Sequence, residues 1–168
     1  MLNKSSQPVL SYLQDFLDWV DIEKGLSSKT QENYQRFLKK FIDWLKNNNL
    51  ADLKPHDLSP AIVWKYRVYL SRGNNDRPLK KTTQNYYLIA LRALLNFFAE
   101  RDILSLPAEK IKLARDKEER QVRFLTYEQL EKLFATVDLT SISGLRDRAI
   151  LEVFFSTGIR ISELVALD

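Results

Sequence analysis

Two short stretches of this sequence repeat a pattern that suits an anion. Residues 29–34 read KTQENY and residues 81–86 read KTTQNY, so Lys-Thr-x-x-Asn-Tyr occurs twice, each time where an amphipathic helix is due to begin. A lysine, a hydroxyl and the unpaired backbone N–H groups of a helix start together suit a phosphate. The same residues also fit ordinary capping by a hydroxyl, and two short matches do not make a repeat architecture. A third feature lies in STGIRISELVALD, residues 156–168. Gly158 suits the left-handed residue that ends a helix, and Arg160 and Glu163, three apart, share one face of the turns that follow. On spacing alone this is a guanidinium held near a helix junction, or an exposed Arg–Glu pair worth little energetically.

Other chemistries have few residues to use. The 168 residues include no cysteine and one histidine, His56, so there is no disulfide framework and no thiolate metal site. No carboxylate cluster stands at ligand spacing, and neither a metal nor a cofactor is expected. The net charge of +4 is unevenly spread: residues 24–101 carry fifteen Lys/Arg against six Asp/Glu, residues 1–23 one against four, and residues 102–168 ten against twelve. That concentration suggests a footprint for a polyanion, the plainer alternative being a soluble helical face with spare lysines. The start, MLNKSSQPVL, lacks the plan of a signal peptide. The most apolar run, Tyr86 to Ala99, is too short to cross a bilayer and is interrupted by Arg92 and Asn96. A soluble, cytoplasmic protein with no membrane partner is expected.

The elements that must position these groups read as all-α, with four glycines and no strong alternation of apolar residues. A first helix is expected from Val9 to Glu23, with Leu10, Leu13, Phe16, Leu17 and Val20 on one face and Gly25 closing it. A second starts near Ser28, where Ser28 and Gln31 have capping-box spacing, and runs to Asn47–Asn49. A third begins at Ser59-Pro60 and stops at Gly73. A fourth spans about Thr82 to Arg101 and is apolar nearly all round, which marks the central buried helix of a bundle. Residues 105–124 read as an extended linker. Helical signals resume with Thr126 as cap and Gln129 at the third position, through about Val137. A further helix follows from about Leu145 to Ser156, with Ile150, Val153 and Phe154 inward. A last one, Ile159 to Leu167, has Ile161, Leu164 and Val165 as its buried face.

The string GLRDRAILEVFFSTGIRISELVALD, residues 144–168, resembles the first catalytic box of the tyrosine recombinases, the phage integrase and Xer family. GLSSKTQENYQRFLKKFIDWL and KKTTQNYYLIALRALLNFFAERDIL are similar to that family's SAM-like core-binding domain, and RFLTYEQLEKLF to the first helix of its catalytic domain. The resemblance implies an all-α chain: a four-helix core-binding bundle over 1–104, a linker over 105–124, and the opening helices of a catalytic domain over 125–168. It also implies that Arg160 contacts the scissile phosphate and that Glu163, at the family's acidic position, helps hold the site's shape. A planar, permanently charged fork suits both phosphate oxygens and the charge that develops on them. Double-stranded DNA is the implied partner, with other recombinase subunits beside it on the DNA. The expected DNA contacts are Lys29, Thr30, Arg36, Lys39 and Lys40 of the second helix, with Lys80, Lys81, Thr82 and Arg92 of the fourth.

One departure from the pattern is large. The family's catalytic lysine, His-x-x-Arg motif, further His or Trp and nucleophilic tyrosine all lie downstream of this box, and the sequence ends eight residues after Arg160. The seven tyrosines, Tyr12, Tyr34, Tyr66, Tyr69, Tyr86, Tyr87 and Tyr127, all precede it, at positions read as core or DNA-facing. The chain is therefore expected to bind DNA without cutting it. A naturally truncated regulator that binds recombination sites, and a helical protein-interaction module, are the competing readings.

Overall fold

The computed structural model describes residues 2–73, 78–114 and 124–167, and every regular element within them is helical. The chain forms two compact units, Met1–Glu118 and Glu119–Asp168.

The first unit contains α1 (Leu13–Ile22), α2 (Ser28–Asn47), α3 (Pro60–Arg72) and α4 (Lys81–Glu100). Its first turn differs from expectation, since Val9–Tyr12 is a 3₁₀ turn ahead of α1. Pro8 precedes it, and the Val9 N–H is drawn away to the Leu53 carbonyl at 2.7 Å. The Ser28–Gln31 capping box does not form. Ser27 occupies the cap position, and the Gln31 amide donates instead to Asp21 Oδ1 (2.7 Å) and the Leu26 carbonyl (3.0 Å), bridging the α1–α2 turn. At α3, Ser59 Oγ accepts from the Ile62 N–H, Pro60 takes the first position, and Gly73 ends the helix at φ 72°. That positive φ costs glycine little.

Helix α4 packs against α1, α2 and α3. Leu88, Ala90, Leu91, Leu94, Leu95, Phe97 and Phe98 are buried there, with Phe16, Trp19 and Val20 of α1 and Leu38, Phe41 and Leu45 of α2 in the same core. Aromatic rings meet edge-on: Phe16 and Phe97 at 5.9 Å, Phe41 and Tyr66 at 4.8 Å. Burial all round α4 does not hold, because Tyr86 remains 56% and Ile89 40% exposed. Its packed neighbours leave one stripe of the helix open.

Part of the expected linker belongs to this unit. Ala108 and Ile111 are buried in the bundle core, and Leu106 and Leu113 pack half-buried against it. Residues 115–123 lie outside the described residues. Near the N-terminus, Asn3 forms a single parallel bridge with Ile103, its N–H donating to the Asp102 carbonyl.

Tyr66 is fully enclosed, and among the described residues its hydroxyl has no hydrogen-bond partner. Burial pushes its ionisation far above the ordinary phenol range, with Tyr87 and Tyr69 adding to the rise. A raised folded value means that the unfolded chain loses this proton first. Stability is then whole below the unfolded pKa, about 10, and falls above it by up to about 1.4 kcal/mol per pH unit for this one group. Tyr66→Phe is expected to remove that alkaline loss and to leave stability at neutral pH unchanged or higher. Chemical denaturation at pH 7 and pH 11 checks both. A variant that is weaker at pH 7 and equally alkali-sensitive would refute the assignment.

The second unit contains α5 (Tyr127–Ala135), α6 (Ile142–Thr157) and α7 (Ile161–Leu164). The Thr126–Gln129 capping box is present, with Thr126 Oγ1 accepting from the Gln129 N–H (3.3 Å) and Gln129 Oε1 from the Thr126 N–H (3.0 Å). Helix α6 starts earlier than expected, at Ile142, because Ser141 caps it through the Gly144 N–H. A Cβ at residue 144 would run into the Asp138 carbonyl, so this turn requires glycine. Arg148 joins α6 to α5: its guanidinium lies 4.5 Å from the Phe134 ring and donates to the Phe134 carbonyl. Phe134 and Phe155 meet edge-on at 6.1 Å. The expected buried face of the last helix is not observed. Ile161 is 70% and Val165 80% exposed, and of the three only Leu164 is half-buried.

Candidate nucleic-acid interface

Of the expected basic residues, the structure draws two into a cleft. Arg36 and Lys40, four apart on α2, line an open cleft of about 550 Å³ with Asp43, Lys46, Asn47, Tyr69 of α3 and Tyr87 of α4. The Lys40 ammonium stands 5.4 Å from the Tyr87 ring and 5.9 Å from the Tyr69 ring. The Arg36 guanidinium lies 4.9 Å from the Phe37 ring, with Nη2 donating to Asn33 Oδ1. Aromatic faces attract these cations without neutralising them, so their positive field stays directed outward. Among the described residues Asp43 is the one carboxylate lining the cleft.

Helix α2 meets α4 where Phe37 stacks on Tyr86 at 6.1 Å and abuts Tyr87 at 4.9 Å. Beside this contact is a smaller groove of about 190 Å³ lined by Thr30, Asn33, Tyr34, Phe37, Tyr86 and Ile89. Thr30 and Asn33 offer donors and acceptors there, and Tyr86 and Ile89 offer apolar surface. Apolar character all round α4 groups Ile89 with the buried helix, and Tyr86, inside the second KTxxNY stretch, reads as core or DNA-facing; both are exposed here.

The remaining basic residues are placed differently. Lys29 is exposed but paired with Glu32 at 2.7 Å, and that hydrogen bond holds the Glu32 carboxyl below its usual range. It lies seven residues before Arg36, about 10 Å along the axis, and is not among the residues lining the cleft. Lys39, Lys80 and Lys81 are exposed, while Lys40, Thr82 and Arg92 are half-buried. Among the described residues none of these five cations forms an ion pair. Thr30 Oγ1 contacts Ser27 Oγ at 3.1 Å, and no side-chain hydrogen bond caps either α2 or α4. The hydroxyls of the two KTxxNY starts are therefore not spent on capping.

In the second unit Gly158 ends α6 in the left-handed conformation at φ 64°. Arg160 follows with its side chain 81% exposed. Glu163 holds it twice: one carboxylate oxygen accepts the Arg160 backbone N–H at 2.8 Å, the other accepts Nη1 at 3.1 Å. The carboxylate orients the guanidinium, and among the described residues its other N–H donors have no partner.

Residues 13–102 match the model of the phage integrase N-terminal SAM-like domain. The chain belongs to the phage integrase family of tyrosine recombinases. It is 31% identical to the tyrosine recombinase XerD of Lacticaseibacillus casei, over 92% of this chain and 50% of that protein. It is 33% identical to the tyrosine recombinase XerC of Staphylococcus haemolyticus, over 91% of this chain and 49% of that one. Against XerC of Bacillus subtilis the identity is 28%, over 95% and 50%. The chain thus spans about half the length of the curated relatives it matches. No solved structure matches it. The family's SAM-like domain corresponds to α1–α4, and the described helices are consistent with it. Among the described residues no helix is long and apolar enough to cross a membrane, and no group of His, Cys, Asp and Glu could hold a metal.

Proposed function

We propose that this chain is the DNA-binding N-terminal part of a site-specific tyrosine recombinase. One observation carries the reading: α4 has no carboxylate before Glu100, and its start adjoins the part of α2 where Arg36 and Lys40 hold their charge against aromatic rings. Duplex phosphates supply the complementary field. In this reading Lys39, Lys80, Lys81, Thr82 and Arg92 extend the contact, and Thr30, Asn33, Tyr86 and Ile89 offer polar and apolar surface to base edges. Lys29 contributes less, because Glu32 already answers its charge. Arg160, braced by Glu163, holds the scissile phosphate once the other catalytic groups of the family are present. Further recombinase subunits on the same DNA are its proposed partners.

The test is the salt dependence of duplex binding, read by fluorescence anisotropy on a mixed-sequence duplex. With about four to six phosphates neutralised, the plot of log affinity against log salt is expected to slope at about −4 to −5. No duplex binding, or affinity indifferent to salt, would refute the reading and favour a protein-interaction module.

A further inference from the structure

We propose that Asn85 is a positioning residue: its side chain clamps the segment leaving the first unit to the opening turns of α4, so that occupation of that helix start is felt at the exit. The Asn85 Nδ2 donates to the Ala114 carbonyl at 2.8 Å, and its Oδ1 accepts the Ala114 N–H at 3.0 Å. A side-chain amide thus satisfies both backbone groups of one residue, as a neighbouring strand would. Two residues earlier, Arg67 of α3 donates from Nη1 to the Lys112 carbonyl. Ile111, 1% exposed, anchors the same segment in the core. Residues 111–114 form a strap tied to two helices.

The other end of the clamp lies among the proposed DNA contacts. Asn85 is the fifth residue of α4, in the turns that carry Lys81 and Thr82, with Lys80 at the cap position. Gln84 steadies the same start, its Nε2 donating to the Leu79 carbonyl at 2.7 Å. The matching residue of the first KTxxNY stretch does otherwise, since Asn33 accepts from Arg36 on its own helix. The shared asparagine is therefore not a general device of helix starts; among the described residues only the α4 copy holds another segment. Helix starts fray because their first N–H groups have no partner within the helix. DNA that binds only the ordered turn suppresses fraying, and the clamp needs that same ordered turn. The two events are linked, each favouring the other by the same factor. This linkage rests on the DNA reading above, whereas the clamp itself does not.

Site-resolved hydrogen exchange and trypsin cleavage on the full chain test both parts. Asn85→Ala is expected to speed exchange at the Ala114 amide and cleavage at Lys112–Leu113 by about tenfold, the factor that one or two ordinary hydrogen bonds supply. The Leu91 and Leu94 amides should keep their rates. Arg67→Ala should open Lys112–Leu113 in the same way, while Asn85→Asp, which keeps the Oδ1 acceptor but sets a second carboxylate oxygen against the Ala114 carbonyl, should restore protection at the Ala114 N–H only in part. Saturating mixed-sequence duplex should slow strap exchange severalfold in the unaltered chain and not in Asn85→Ala, which still binds. An unchanged Ala114 rate in Asn85→Ala, or equal acceleration at Leu91 and Leu94, would overturn the clamp. Duplex binding that leaves the strap unaltered would overturn the linkage. If the unaltered chain binds no duplex, the DNA reading fails and the linkage with it, and the free-protein rates still decide the clamp.

Discussion

A chain extended to the length of its relatives is expected to form a covalent adduct with site-containing DNA in EDTA, and Arg160→Ala to suppress that adduct about 10²–10³-fold. The magnitude is that of removing one preorganised contact to charge developing in a transition state, about 3–4 kcal/mol. The local geometry supports a large effect. Arg160 is exposed, and Glu163 fixes both its backbone and its Nη1, so the guanidinium is oriented before any phosphate arrives. Glu163→Gln keeps an acceptor while removing a charge, and a smaller loss is expected from it. In the 168-residue chain Arg160→Ala should leave duplex affinity within about twofold, since binding is proposed to come from many phosphate contacts on the first unit. That chain should itself give no adduct, because the family's nucleophile lies downstream of the stretch that residues 144–168 resemble. A denaturing gel with labelled duplex reads every arm. A shifted covalent band from the 168-residue chain would contradict the proposal, as would an undiminished adduct from the extended Arg160→Ala protein.

The sequence was most legible where a local rule decides structure alone. Ser59-Pro60 opened α3, Thr126 and Gln129 closed their box, and Gly158 ended α6, each through bonds or dihedrals spanning a few residues. It was least legible where a distant group competes for the same atoms. Gln31 has the spacing of a capping residue, yet Asp21 and the Leu26 carbonyl take its amide. Apolar periodicity carried a similar ambiguity. It grouped Ile89 with the buried residues of α4 and left Tyr86 as core or DNA-facing, because pattern does not show how many neighbours a helix will have. Residues 105–114 read as linker from Pro107 and alternating charges, and the apolar residues that tie them down, Ala108 and Ile111, are too few to show a period. The site divided in the same way. Charge density and the KTxxNY echo pointed to α2 and α4, but only the fold shows Lys40 between two tyrosine rings and Lys29 taken up by Glu32.

That last contrast separates the basic residues by expected effect. Combined Arg36→Ala, Lys40→Ala and Lys81→Ala substitution is expected to make the salt slope of duplex binding shallower by about three, roughly one for each phosphate left without its cation. Each such phosphate is worth about 0.9 of a decade per decade of salt, so affinity at 0.1 M salt should fall by about two to three decades. Folding should survive. Arg36 and Lys40 meet aromatic rings at the surface, where such pairings contribute about 0.5–1 kcal/mol, and Lys81 is exposed at a helix start. Circular dichroism and thermal melting on the same samples would confirm that. Lys29→Ala should behave differently, because it removes a positive charge and releases the negative charge of Glu32 in the same turn. Its effect on the slope depends on that release, and Glu32→Gln isolates it: with Lys29 freed, duplex affinity should rise and the slope steepen. A triple variant that binds with an unchanged slope would place the DNA elsewhere on the molecule. Equal losses from Lys29→Ala and Lys40→Ala would show that net charge, and not the cleft between α2, α3 and α4, is what the duplex senses.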